Sequence, residues 1–563
     1  MWLYYENQFI FTFFYIYIYI YFYLLFKVTF MLFLSIISLI FFVGEIKAAC
    51  PMEYKVSPLP PATLFTVDDN ELSFSDSVTL QSLAGSIAKE VSPILYRSGN
   101  VQYETWLDEI KMKTSILIND TYTDRPGDLI DHLLVTYTAS TVITGLVTYA
   151  NVSDSISLSH AVTYCSGSQG LVVVLATDAV AYSSKYSLPV VFDAEYDTLP
   201  DSLQFSDHSI VFQQPDAQPF LIEYAVFSDS PYLSWNDVSR DTHLTRLSDA
   251  SSSCAAAYGW VSDEGSYVSY LANYGIFAHA SDWALDMVSL SNIHVPIPPL
   301  PQTPSDVPTD KAVHSVTFVM MTDGDNLQWL LGSFLQDSWY GSSAMSTTPM
   351  GFTLSPALID VSPTSLAYIY SRATGDTSMV AAPSGLGYTY PELLSSEELN
   401  SYANSTSVYM ADTQMRILNI LAGNDVTTDD TLQSSSSPFL CYSNIDAVFY
   451  YTYGSGYAGG GGKSMRDEST GKPIITARFS LWGEGTDTAT SPMLGNDAMV
   501  AALKEQVKDL NSVDGYSLIP VHAWTHTTAD VAYIIEQLAA QDPSVEVVTP
   551  AVFLSRFIDH TIS

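Results

Sequence analysis

Nearly continuous apolar runs alternate along this chain with stretches of helical periodicity, a rhythm that predicts an α/β fold. The strongest run is residues 316–321, VTFVMM, which suits a strand buried on both faces of a parallel sheet. It stops at Thr322-Asp323-Gly324-Asp325-Asn326, and an apolar segment resumes behind it. Upstream, residues 80–91 carry a helical period, 143–149 and 170–175 read as short buried strands, and 156–164 reads as a helix capped by Asp154 or Ser155. Downstream, 363–372, 499–510 and 529–540 read as helices. Residues 351–359, 380–382, 447–453, 474–482, 518–521 and 545–548 read as strands or strand-bearing segments. Thr549-Pro550 is an N-cap followed by a first-turn proline, 454–462 a mobile glycine loop, and 434–437 a surface loop. No internal repeat is visible.

Two breaks in the pattern divide the chain. Residues 1–49 form a leader of two apolar segments separated by Lys27. The first alternates Tyr and Ile as a TATATA nucleotide repeat would encode, which makes residues 1–30 a candidate for untranslated sequence and Met31 the start. The second, 31–43, leads to Ala48-Ala49-Cys50 and reads as a signal peptide; the competing reading is a membrane anchor, since roughly 20 apolar residues span a bilayer. Residues 294–308 hold six prolines, which remove backbone donors and keep the chain extended. The expected organisation is a leader at 1–49, an N-terminal α/β domain at 50–294, a Pro-rich linker at 295–310 and a second α/β domain at 311–563.

Composition narrows the partners. The 563 residues carry 60 acidic and 21 basic side chains, a formal charge of −39, which argues against nucleic acid and anionic lipid and leaves neutral polar substrates. Contact with a membrane is expected only through an uncleaved leader, and nothing in the pattern sets an oligomeric state. Cys50, Cys165, Cys254 and Cys441 form no C-x-x-C pair, so a structural zinc site is not expected. Of the pairings open in an oxidising compartment, Cys165–Cys254 is expected because both fall in one domain. Sequons at Asn119, Asn151 and Asn404 agree with a secreted glycoprotein.

Acidic residues at the end of a buried parallel strand are candidates for chemistry, because sites in such folds lie off the carboxyl ends of the strands. Asp323 and Asp325 also suit a helix cap, but two acids and an amide exceed what one cap needs.

Further on, Gly385-Leu386-Gly387-Tyr388-Thr389-Tyr390-Pro391 follows a short apolar strand. With this heptapeptide and the segment Asp323–Trp329, the sequence resembles the GxGYxYP putative glycoside hydrolase family over about residues 60–560. The likeness extends to Lys472-Pro473 through Leu481-Trp482, Val521–Trp524, Gly259-Trp260 with Glu264, and Ser281-Asp282-Trp283. It implies an N-terminal α/β domain followed by a (β/α) barrel-like C-terminal domain that carries the motifs. It also implies hydrolysis of a carbohydrate substrate. The leader and Leu285, where an Asn is expected, depart from the family pattern.

Glycoside hydrolysis needs two carboxyl groups flanking the bond. The candidates at strand ends are Asp323, Asp325, Glu392 and Glu484, with His522 as a further catalytic candidate. Asp323 and Asp325 lie two residues apart, point the same way in extended chain, and suit a like-charge pair in which one keeps its proton. Tyr388, Tyr390, Trp482 and Trp524 are candidates for stacking on sugar rings, and Asn326 and Arg478 for holding hydroxyls; core packing is the competing role for the aromatics. This chemistry needs no cofactor and no metal. Two alternatives use the same residues. Asp323/Asp325 with His522-x3-His526 resembles the metal set of a polysaccharide deacetylase, although residues four apart in a strand sit about 13 Å apart unless the chain turns. A non-catalytic carbohydrate-binding protein is the other.

Overall fold

The computed structural model describes residues 54–213, 219–251, 255–301, 312–322, 324, 326–423, 427–453, 456–457, 460–483 and 493–561. The leader, Cys50, Cys254, most of the proline-rich stretch, Asp323, Asp325 and Glu484 lie outside the described residues. Residues 50–563 form one compact unit. No helix among the described residues is long and apolar enough to cross a membrane.

Among the described residues, the N-terminal half builds three small parallel sheets. β1 (Thr63–Asp68) lies between β2 (Leu95–Ser98) and β3 (Leu117–Asn119). β4 (Gly145–Tyr149) lies between β5 (Leu171–Leu175) and β6 (Val190–Asp193). β7 (Ser209–Gln213), β8 (Tyr232–Ser234), β9 (Ala256–Gly259) and β10 (Phe277–His279) pair in the order β10-β9-β7-β8. The local signals behind these elements are those of the sequence: Asp154 caps the helix Ser155–Ser166 by accepting from Ser157 N, and the expected helix at 80–91 is the latter part of Phe74–Glu90, which ends one residue earlier.

The second half holds one large, mostly parallel sheet. Its strands are β11 (His314–Met321), β12 (Met350–Leu354), β13 (Thr377–Ala381), β14 (Ile417–Ala422), β15 (Ala447–Thr452), β16 (Ser464–Arg466), β17 (Pro473–Thr476), β18 (Ser480–Leu481), β19 (Met493–Leu494), β20 (Tyr516–His522) and β21 (Val545–Val547). β11 pairs with β12 on one side and β20 on the other, with Met321 opposite His522. The order continues through β13, β14 and β15 to β17, and Ala477, just beyond β17, pairs with Leu518 of β20. The sheet therefore curls back towards its own first strand. Side chains alternate across it. Val319 and Met321 of β11 join Leu421, Phe449 and Leu518 in one apolar cluster, whereas Val316, Phe318 and Met320 join another that reaches into the N-terminal sheets. That division explains why 316–321 is apolar at every position but Thr317.

Several expectations are corrected here. Residues 434–437 are not a surface loop but part of the helix Asp429–Leu440, with Ser435 and Ser436 buried. Thr428 caps that helix, and the Ser437 hydroxyl donates to Gln433 O and to Asp467 Oδ1, so small polar side chains satisfy themselves inside it. Cys165 is not in a disulfide: its buried thiol donates to Leu171 O at 3.2 Å, and burial pushes its pKa up to about 12. The helix expected at 499–510 is Asn496–Lys504, and the expected strand 474–482 is interrupted between β17 and β18. The described part of the glycine loop is packed, with Tyr457 fully buried and Gly460 so close to Thr476 that a Cβ would sit 2.2 Å from it.

Candidate active site

The loop after β13 and the turn after β11 pack against β10 and the residue that follows β9. Ala278 of β10 exchanges two backbone hydrogen bonds with Tyr388, each 2.8 Å. This pairing depends on the two glycines of the heptapeptide. A Cβ on Gly387 would lie 2.4 Å from Phe277 and 2.9 Å from Ala278 O, and Gly385 has φ +109° with Thr406 against it. The Tyr402 hydroxyl accepts from Gly387 N (3.0 Å) and donates to Gly387 O (2.7 Å). The glycines thus admit protein, not ligand, to close approach.

The same loop grips the turn after β11. Gly324 sits between the rings of Trp260 and Tyr388, which lie 14° from parallel with centroids 6.3 Å apart. A Cβ there would be 2.3 Å from Trp260 and 2.5 Å from Tyr388. Gly324 N donates to Glu264 Oε1 at 3.2 Å. Glu264 is the first residue of the helix Glu264–Ala272, which is capped by Asp263, so a carboxylate from the N-terminal half is delivered to the turn that carries Asp323 and Asp325. Trp260 and Glu264 are site residues that strand-end reasoning missed. Their positions are set by contacts across some sixty residues of chain, and only the family likeness had marked them.

Asn326, expected to hold substrate, is buried at the start of the helix Asn326–Gly332, its amide nitrogen in long contacts of 3.5 Å with Thr353. Its Oδ1 and the Oγ1 of Thr322 are buried without a partner among the described residues. Tyr388 and Tyr390 are each 1 % exposed, with hydroxyls 3.4 Å apart. Tyr388 walls the turn, Tyr390 packs edge-on against Tyr388, and neither offers an open face to a sugar. Burial raises the Tyr390 phenol well above its usual range, and the Glu264, Tyr453 and Glu392 side chains add to the rise. Glu392 accepts from Gly423 N at 2.7 Å, beyond the end of β14.

On the other flank, His522 ends β20, its ring stacked on Trp482 at 3.7 Å and 5° and inclined to Tyr457 at 5.9 Å. The chain turns immediately afterwards, with Thr525 N and His526 N both donating to His522 O. The Thr525 hydroxyl consequently meets Nδ1 of His522 at 3.1 Å and Nδ1 of His526 at 3.0 Å. Burial, reinforced by the nearby His522, depresses the His526 pKa, while Asp530 opposes the fall. Among the described residues no group of three or more His, Cys, Asp or Glu side chains is placed to hold a metal ion.

Two expected members stand elsewhere. Trp524 turns outward and is 45 % exposed. Arg478 lies towards the amino end of β20, tied to Tyr516 O (3.3 Å), Gly462 O (3.4 Å) and Asp514 (3.5 Å). Seven residues of strand, roughly 20 Å, separate that end from His522.

Three domain models match the chain: the GxGYxYP_N 1st domain over residues 63–132, the GxGYxYP third domain over 208–292, and the GxGYxYP putative glycoside hydrolase C-terminal domain over 312–557. The crystal structure of a putative hydrolase from Bacteroides thetaiotaomicron has a similar fold, with a TM-score of 0.77 and 23 % identity over 90 % of this chain and 97 % of that one. No curated protein matches.

Proposed function

The chain belongs to the GxGYxYP putative glycoside hydrolase family, and from that premise we propose that it hydrolyses glycosidic bonds in a neutral glycan by carboxylate acid–base chemistry. The observation that carries this reading is the hydrogen bond from Gly324 N to Glu264, which brings a third carboxylate to the turn holding Asp323 and Asp325. Hydrolysis uses one carboxyl as the acid that protonates the glycosidic oxygen and another as base or nucleophile. These roles are assigned to Asp323, Asp325 and Glu264, with Glu392 as a further candidate. His522, fixed by Trp482 and Thr525, and the buried Asn326 amide supply hydrogen bonds to sugar hydroxyls. Tyr388, Tyr390 and Trp260 are positioning residues that hold the turn. The charge of −39 favours neutral over acidic glycans, and the signal-like segment at 31–49 supports action outside the cell.

One observation favours a second reading. The turn at Trp524–Thr525 removes the distance objection to His522 and His526 sharing a ligand, as a metal-dependent deacetylase would require. A screen of neutral oligosaccharides and polysaccharides, including acetylated ones, with and without chelator, separates the readings. Release of reducing ends unaffected by chelator is expected. Chelator-sensitive release of acetate would replace the first reading with the second, and glycan binding without turnover would make the protein a lectin.

A further inference from the structure

Beside the helix Asn326–Gly332 lies a cleft of about 330 Å³ lined by Asp69, Asn100, Tyr103, Phe220, Trp283 and Trp524 among others. Among the described tryptophans, Trp283 and Trp524 are the two classed with the exposed apolar side chains, at 53 % and 45 % exposure, and both belong to this one cleft. They come from segments 241 positions apart (524 − 283), so their convergence is a product of the fold.

We infer that this cleft is a second sugar-binding subsite, in which the indoles of Trp283 and Trp524 hold a stretch of neutral glycan beyond the bond that is cleaved. The inference rests on the carbohydrate reading above and extends it. Large indoles left in water are unfavourable unless something covers them, and a sugar ring presents the flat C–H face that an indole accepts. Both rings are fixed in advance. Trp283 N donates to Gln328 Oε1 at 3.1 Å, and its ring leans on Phe220 at 5.4 Å. Trp524 meets Trp339 edge-on at 5.6 Å, and Trp339 Nε1 in turn donates to Ala523 O at 2.9 Å. Rigid aromatic surfaces lose little entropy on binding. Polar groups complete the lining: the Asp69 carboxylate, held by Arg97 at 3.0 Å, accepts hydroxyls, and Asn100 stands beside it. The volume lies at the lower end of the ~300–1,000 Å³ of small-ligand sites.

Continuity with the candidate active site identifies the occupant. Trp524 follows His522 by two residues, and Gln328, Trp329 and Gly332 of the cleft belong to the helix that begins at the Asp323–Asn326 turn. A chain bound at the turn and running past this helix meets the two indoles. The net charge again selects a neutral glycan.

The test is native electrophoresis through gels containing soluble starch, hydroxyethylcellulose, xylan, galactomannan or mixed-linkage β-glucan. It uses the whole protein with Asp323→Asn to suppress turnover. At least one polysaccharide should retard it. Trp283→Ala and Trp524→Ala should each weaken retardation about tenfold, Trp283→Phe should restore part of it, and Tyr196→Ala, an exposed aromatic that does not line the cleft, should leave it unchanged. Melting curves show that the variants are folded. Undiminished retardation in the double variant Trp283→Ala/Trp524→Ala, or no retardation by any of these polysaccharides, overturns the inference. Retardation needs no turnover, so the two proposals fail separately. Wild-type protein that hydrolyses a glycan while both tryptophan variants bind it normally loses only the subsite. Protein retarded through the indoles that cleaves nothing loses only the hydrolase reading.

Discussion

The two ends of β20 contain similar side chains put to different use. At the amino end, Arg478 is tied to two carbonyls and Asp514. His314 of the neighbouring strand has both ring nitrogens engaged, by Val507 O and Ser517 Oγ, each at 2.8 Å. At the carboxyl end, His522 stacks on Trp482, and the Asn326 Oδ1 and Thr322 Oγ1 nearby have no partner among the described residues. A polar group whose bonds are all made within the protein contributes to stability and has nothing left for a ligand. A buried polar atom with capacity to spare is what a binding site needs.

The sharpest way to break that contrast is at the turn after β11. Asp323→Asn and Asp325→Asn preserve shape and remove charge, so turnover on a glycan identified by the screen should fall at least ~10²-fold with little change in melting temperature. Near-normal kcat in both would return these acids to the role of helix caps. Glu264→Gln tests the partner carboxylate, because the amide oxygen can still accept from Gly324 N while the charge is gone. A fall of about 10²-fold with the fold intact marks it as catalytic, whereas an unchanged kcat marks it as only positioning.

Gly324→Ala asks how firmly the turn is held. With Trp260 and Tyr388 closer than 3 Å to any Cβ, the turn must shift, and both melting temperature and kcat should drop, stability by on the order of 1–3 kcal/mol. A variant as stable and active as the parent would mean that the two rings yield easily.

A smaller effect concerns pH. Burial pushes Glu223 up to about 8, opposed by Arg97, and Asp286 beside it is raised for the same reason. The folded protein therefore keeps a proton that the unfolded chain loses above its ordinary glutamate pKa. This contribution is complete below that value and is lost as pH rises towards 8. Buried His279 and His314, depressed to about 3 and about 4, act in the opposite sense, stabilising above the usual histidine pKa and losing that effect in acid. Between about pH 6.5 and 8.5 the acids dominate, so Glu223→Gln should narrow the fall in melting temperature over that interval. An identical fall in parent and variant would remove Glu223 from the account.

The smallest functional effect belongs to the amino end. Arg478→Gln should lower the melting temperature by a few degrees, since it cuts ties to two carbonyls, yet leave kcat within about twofold. Loss of turnover without loss of stability would restore Arg478 to the substrate-binding set.

What the sequence determined by itself is local. Alternation and burial made 316–321 a two-faced strand, Pro363–Arg372 is the expected helix residue for residue, and Thr549 caps Pro550–His560 as its Thr-Pro pair predicts. These signals depend on neighbours within a turn or a pleat. The heptapeptide was visible too, but nothing nearby in the chain reveals that Phe277 and Thr406 press against its glycines. Likewise the serines at 434–437 looked like loop, and Cys165 looked like half of a disulfide, until burial and distant partners were in view. The meeting of Glu264 with Gly324, the removal of Arg478 to the far end of β20, and the convergence of Trp283 with Trp524 were decided by tertiary structure alone. Each depends on register and packing between segments tens to hundreds of residues apart, and residue spacing along one stretch of chain carries no record of what will be packed against it.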